Sequence, residues 1–109
     1  MATSLKNYLA ANIGTSDVAV FQASTVGAQI TVIGLNIANT SASSVNANIK
    51  LTSGGTTAFL LKNTPIPAGN ALSVLKDSKL VMEYGDILYV NSSAAASLDA
   101  VISSVEVTP

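Results

Sequence analysis

The sequence predicts an all-β fold: an antiparallel β-sandwich, Ig-like or jelly-roll-like, of roughly seven to nine short strands with an N-terminal arm. Three observations predict it. Short β-favouring runs recur along the chain, separated by turn chemistry roughly every 8 to 12 residues, the spacing of sandwiches and barrels. The segment 45–52 alternates without a break, with Val45, Ala47, Ile49 and Leu51 on one side and Asn46, Asn48 and Lys50 on the other, as in a sheet that is wet on one face. The longest run, QITVIGLNIAN over Gln29–Asn39, starts apolar on both sides and ends apolar on one, which suits a central strand.

Taken in order, residues 1–12 admit two readings. Leu5, Tyr8, Leu9 and Asn12 fit a helical spacing behind a Thr3 or Ser4 cap. Leu5, Leu9 and Ile13 also fit a strand period. The segment is read as an extended arm or first strand, ended by Gly14-Thr15-Ser16, and residues 13–109 as the sandwich domain. Residues 17–22 form a strand with Val18 and Val20 against Ala19 and Phe21. In the central strand, Ile33, Leu35 and Ile37 share one face and Ile30 and Val32 the other. Residues 40–44 are a small polar loop. Ser53-Gly54-Gly55 is a hairpin turn, because glycine supplies the positive φ of tight hairpins.

The return strand, 56–62, places Phe59 and Leu61 together. Pro65-Ile66-Pro67 lacks two backbone donors and cannot lie in a central strand, so Ile66 is expected to plug the end of the core. Short strands follow at 71–75, with Leu72 and Val74, and at 79–83, with Leu80 and Met82, separated by a turn at Lys76-Asp77-Ser78. After the Tyr84-Gly85-Asp86 turn comes a strand at 87–91, then a small, flexible stretch at 92–97. A long last strand over 98–107 puts Val101, Val105 and Val107 on one face. The expected core is Val20, Ile33, Leu35, Ile37, Ile49, Leu51, Phe59, Leu61, Leu72, Val74, Leu80, Met82, Val101 and Val105.

The 109 residues suit one domain with a modest core. Charged residues make up 10 % of the chain and the net charge is −1, against about 25 % charged in an average soluble domain. Such a surface repels other copies weakly, which suits life inside an assembly. The basic residues are all lysines and do not cluster, so nucleic acid is not an expected partner. No apolar run reaches the ~18 residues of a membrane helix, and the N-terminus has no apolar leader segment. No membrane partner is expected, and synthesis is expected in a cytoplasm.

Histidine, cysteine and tryptophan are absent. That removes the commonest general base and the strongest nucleophile, and with them any disulfide framework or thiolate metal site. Glu83 and Asp86 flank a turn and could offer oxygen ligands to a hard cation; as turn residues, with Asp86 capping through its side chain, they need no ion. Ser41, Ser43 and Ser44 have no base beside them. Gly54-Gly55 is followed by neither a Lys-Ser/Thr pair nor a helix start, so it is no phosphate loop. Tyr8, Tyr84 and Tyr89 could make a sugar-stacking platform, or simply pack. The expectation is no enzyme, no cofactor and no metal.

Three stretches carry a resemblance: NIGTSDVAVFQA (12–23), ITVIGLNIANTSASSVNANIKLTSGGTTAFLLKNTPIPAGNAL (30–72) and KLVMEYGDILYVNSSAAASLDAVISSVEV (79–107). Together they resemble a family of small β-sandwich virion structural proteins of tailed phages, of the kind frequent in cyanophages and other marine phages. The resemblance implies a non-enzymatic subunit on the particle, made in the host cytoplasm: a capsid decoration (cement) protein, or else a neck, tail or baseplate component. A glycan- or receptor-binding module on a fibre is the alternative. The implied partners are virion proteins such as the major capsid protein; other copies, as a trimer or ring, are expected from the charge-poor surface and from more apolar strand faces than one small core absorbs. From the residues themselves, Ile30, Val32, Leu60, Val81, Leu88 and Ile102 fall opposite the expected core and are the expected interface, with the N-terminal arm, carrying Leu5, Tyr8 and Leu9, as its clamp.

Overall fold

The computed structural model describes residues 2–76 and 78–109; Met1 of the expected arm and Asp77 of the expected 76–78 turn lie outside the described residues. The described residues form nine strands and no helix: β1 (Ala2–Ile13), β2 (Val18–Gln22), β3 (Gln29–Asn39), β4 (Val45–Ser53), β5 (Thr56–Ile66), β6 (Ala71–Ser73), β7 (Leu80–Met82), β8 (Ile87–Ser92) and β9 (Leu98–Thr108). They make two antiparallel sheets, a β-sandwich. In the five-stranded sheet β1, β9 and β3 lie side by side, and β6 and β7 share the far edge of β3 end to end. The four-stranded sheet runs β2-β8-β4-β5. The segment read as an arm or first strand is β1, paired with β9 from Ala2↔Thr108 to Ile13↔Leu98.

Register irregularities occur in several strands, and those in β2, β3 and β5 move side chains that strict alternation had placed elsewhere. In β3 the partners step from Val32↔Ser104 to Gly34↔Ser103, so Ile33 is the extra residue of a bulge. The bulge restarts the period. Ile30 and Val32 before it and Leu35 and Ile37 after it all face the core, while Ile33 turns out to solvent, 43 % exposed. In β2 a shift between Ala19 and Phe21 lets Val20 and Phe21 both point inward. In β5 the partners step from Ile49↔Leu61 to Lys50↔Phe59. That separates Phe59 from Leu61: Phe59 is exposed beside Lys50, and Leu61 packs against the core.

The last strand is the largest correction. Both of its phases carry apolar residues, Leu98, Ala100 and Ile102 on one and Val101, Val105 and Val107 on the other, and Val101 and Val105 were expected to face inward. Instead Leu98, Ala100, Ile102, Ser104 and Glu106 are buried, Val101 is exposed and Val105 is half-buried on the outside. The inner phase is tolerable because its carboxylate is satisfied. Tyr8 Oη and Ser104 Oγ both donate to Glu106 Oε2, and Lys6 Nζ lies 3.9 Å from Oε1.

The loops are fixed by side chains that the sequence marks as turn formers. Buried Asn39 donates through Nδ2 to the carbonyls of Ser43 (2.8 Å) and Ile66 (2.9 Å), and its Oδ1 accepts from the amide (2.9 Å) and hydroxyl (2.7 Å) of Ser41. The stretch 92–97, expected to be flexible, is instead knitted into the core end. Ser92 and Ser97 are buried and share a hydroxyl–hydroxyl hydrogen bond, Ser97 N donates to Ile13 O (3.0 Å), and Thr40 N donates to Ser97 O (2.9 Å). Pro65 lies on β5, an edge strand, and Ile66 is buried.

Candidate assembly surface

The two outer faces of the sandwich differ in chemistry. On the four-stranded sheet the outward phase of β4 is polar and hydrogen-bonded into a ladder. Asn63 N donates to Asn48 Oδ1 (2.9 Å), Asn48 Nδ2 donates to Asn91 Oδ1 (2.8 Å), Asn91 Nδ2 donates to Asp17 Oδ1, and Lys50 Nζ binds Asp17 Oδ2. The hydrogen bond from Lys50 above all, then that from Asn91, holds the Asp17 carboxyl below its ordinary range. Phe59 stands beside this ladder, with Lys62 Nζ 5.3 Å and Lys50 Nζ 6.0 Å from its ring centre.

The outer face of the five-stranded sheet carries exposed apolar side chains in rows and little charge. Register places Leu5, Val105, Thr31 and Val81 in one cross-strand row, and Leu9, Val101 and Asn36 in another. Asn7 and Ser103 lie between them, with Ile33 bulging alongside. Leu5 is 78 % exposed, Leu9 72 % and Val81 66 %. Large side chains this open, and grouped on one sheet face, make a candidate interaction surface.

Behind this face β1 is anchored by Tyr8. Its ring packs on Phe21 across the sandwich, centroids 4.4 Å apart, and its hydroxyl donates to Glu106. Burial first, then that hydrogen bond and the negative charge of Glu106, push the Tyr8 phenol up to about 12.

The residues expected at an interface therefore divide. Leu5, Leu9 and Val81 are exposed on the apolar face. Tyr8 and Leu60 are half-buried against the core. Ile30, Val32, Leu88 and Ile102 are buried in it, since the bulges and the inverted last strand find room inside for side chains that alternation left over. Ile33, Val101 and Val105 take their place on the face, and alternation carries no signal of that. Asp86 is buried, and its Oδ2 accepts from Glu83 N (2.9 Å), closing the turn. Among the described residues no group of three or more acidic side chains gathers. The tyrosines sit apart, Tyr8 between the sheets, Tyr84 on an exposed turn and Tyr89 on the polar outer face opposite Lys50.

No protein-family model matches the chain, and no curated protein sequence does. Solved structures do. A protein of Bacillus endospore appendages, a family of disulfide-linked pili, superposes with a TM-score of 0.60 at 14 % identity, over 97 % of this chain and 88 % of its own. A protein of the T13 IBDV viral particle superposes with a TM-score of 0.51 at 13 % identity; the match covers 95 % of this chain but only 35 % of that one. What they share with this chain is the fold. A pentameric capsid protein from metagenomic phage sequences aligns over 95 % of this chain and 60 % of its own at 19 % identity, with a TM-score of 0.39, too loose to equate the folds.

Proposed function

We propose that the chain is a non-enzymatic structural subunit of a tailed-phage virion, and within that class a capsid decoration protein that docks through the outer face of its five-stranded sheet. One observation carries the reading. The last strand buries Glu106 and turns Val101 and Val105 outward, in rows with Leu5, Leu9 and Val81. In a lone subunit that choice buries Leu98, Ala100 and Ile102 but leaves Leu5, Leu9, Val81 and Val101 exposed to water. A subunit whose face is covered on assembly gains about 25 cal/mol for each Å² of apolar surface buried, before association costs.

The resemblance to small virion proteins supports this reading. So does the fold shared with a pilus protein and a viral-particle protein, both drawn from assemblies. Those pili are disulfide-linked; this chain has no cysteine, so its contacts in the proposed assembly are not disulfides. The partners in this reading are further copies and the major capsid protein, met on the particle after synthesis in the host cytoplasm.

The test is occupancy of heads stripped of the protein. Val101→Glu places a charge on the exposed face and is expected to change stability by less than about 1 kcal/mol while lowering occupancy at least tenfold. Occupancy equal to wild type overturns the docking face. Cryo-electron density for the protein on the neck or tail, rather than the head, overturns the decoration role.

A further inference from the structure

We infer that two copies of this chain pair edge to edge through β1, antiparallel about a two-fold axis at Asn7, so that their five-stranded sheets continue as one. This deepens the reading of the chain as an assembling subunit and gives a two-fold dimer as its unit, rather than the trimer or ring read from the sequence.

The first argument is the contrast between edges. An unpaired edge strand is a template for another chain, and proteins guard such edges with shortness, proline, charge or bulges. Here β6 and β7 are three residues each. β2 is five residues long and irregular. β5 carries Lys62 and Pro65. β1 is the one long edge strand without proline: twelve residues, paired regularly with β9 from Ala2 to Ala10, with a single register shift at its far end between Ala10 and Ile13. Its one charged side chain, Lys6, is turned toward Glu106, 3.9 Å away. Its other edge pairs with no strand among the described residues.

The second argument is self-complementarity, which an isologous contact requires. In an antiparallel pair centred on Asn7, Leu5 stands opposite the partner's Leu9, and Leu9 opposite the partner's Leu5. Thr3 meets the partner's Ala11, and Asn7 meets the partner's Asn7, an amide that both donates and accepts. On the inner side Lys6 comes opposite the partner's Tyr8. No like charges meet, and every residue from 3 to 11 has a compatible partner. The third argument is continuity. Leu5 and Leu9 already stand in rows with Val105 and Val101, so pairing extends one apolar face across both copies.

The chain has no cysteine, so single cysteines report the register directly. Opposite residues of antiparallel strands have Cα atoms about 4.5–5.5 Å apart, within disulfide range. Full-length Asn7→Cys is expected to cross-link to a dimer under mild oxidation. Ala11→Cys should not, because its copies would lie roughly 27 Å apart, yet a mixture of Thr3→Cys and Ala11→Cys should join. In sedimentation without cross-linking, wild type is expected as a dimer, Leu5→Lys/Leu9→Lys as a monomer, and Leu5→Lys/Leu9→Glu as a dimer again, since each lysine then faces the partner's introduced glutamate. Wild type that stays monomeric at high concentration overturns the pairing, as does Ala11→Cys cross-linking as fast as Asn7→Cys. All of this is read in solution without particles. A dimer that fails to bind heads therefore counts against the decoration role and leaves the pairing standing.

Discussion

Tyr8 links the exposed edge to the interior, and its chemistry gives a pH signature. The phenol is raised from 10.0 to about 12 by burial, by its hydrogen bond to Glu106 and by the charge of that carboxylate. The folded state therefore prefers the neutral phenol more than the unfolded chain does. The stabilisation is complete below pH 10 and is lost as pH rises from about 10 through about 12. Urea unfolding of wild type and Tyr8→Phe across that range is the measurement. The stability difference between them is expected to be constant up to about pH 10 and to shrink above it. A difference that does not change with pH would show that the Tyr8–Glu106 contact contributes nothing specific. Asn39 is the other residue that holds more than its own position. Its four hydrogen bonds tie the loop after β3 to the end of β5, and an asparagine ahead of a Ser-rich loop is a turn signal the sequence does display.

At the scale of elements, the strands were legible and their phases were not. The bounds of β3 follow from one uninterrupted β-favouring run, and the inward phase of β4 from strict alternation over Val45, Ala47 and Ile49. The phases of β2, β3 and β5 were lost because each has an irregular step, and a bulge leaves no residue type that identifies it when both phases are apolar. In β9 the reading failed for a different reason. Burying Glu106 depends on Tyr8, which is 98 positions away in the chain, and local pattern cannot see that pairing. The β4–β5 hairpin was legible because its turn needs glycine. Gly54 and Gly55 have φ of 57° and 82°, and a Cβ at either would meet nothing within 4 Å. The cost of Gly54→Val or Gly55→Val is therefore purely conformational, about 1 kcal/mol or more, and should appear as a lower melting temperature in both variants. Unchanged melting in both would mean that the turn tolerates a β-branched residue at positive φ.

As a whole molecule this is a slab of 45 × 27 × 22 Å with one polar and one apolar broad face. Its net charge is −1, and the ion pair on the polar face, Lys50 with Asp17, is internally matched. Long-range attraction thus has little to act on. Docking through the apolar face should be carried by removal of apolar surface from water, whereas docking through the polar face would rely on charges that salt screens over about 10 Å at 0.1 M. The two routes respond oppositely to added salt. Occupancy of stripped heads is expected to hold steady as NaCl rises from about 50 to about 500 mM, and to increase in ammonium sulfate, which strengthens apolar burial. Binding should also carry a negative heat-capacity change, the thermodynamic mark of buried apolar area. A tenfold loss across the NaCl series, with no gain in sulfate, would move the contact to the Lys50, Asp17 and Lys62 side. Pairing between copies along β1 would then set Leu5 beside the partner's Leu9 but leave Val105 and Val81 uncovered, so the apolar rows of this face would still need an occupant other than the particle.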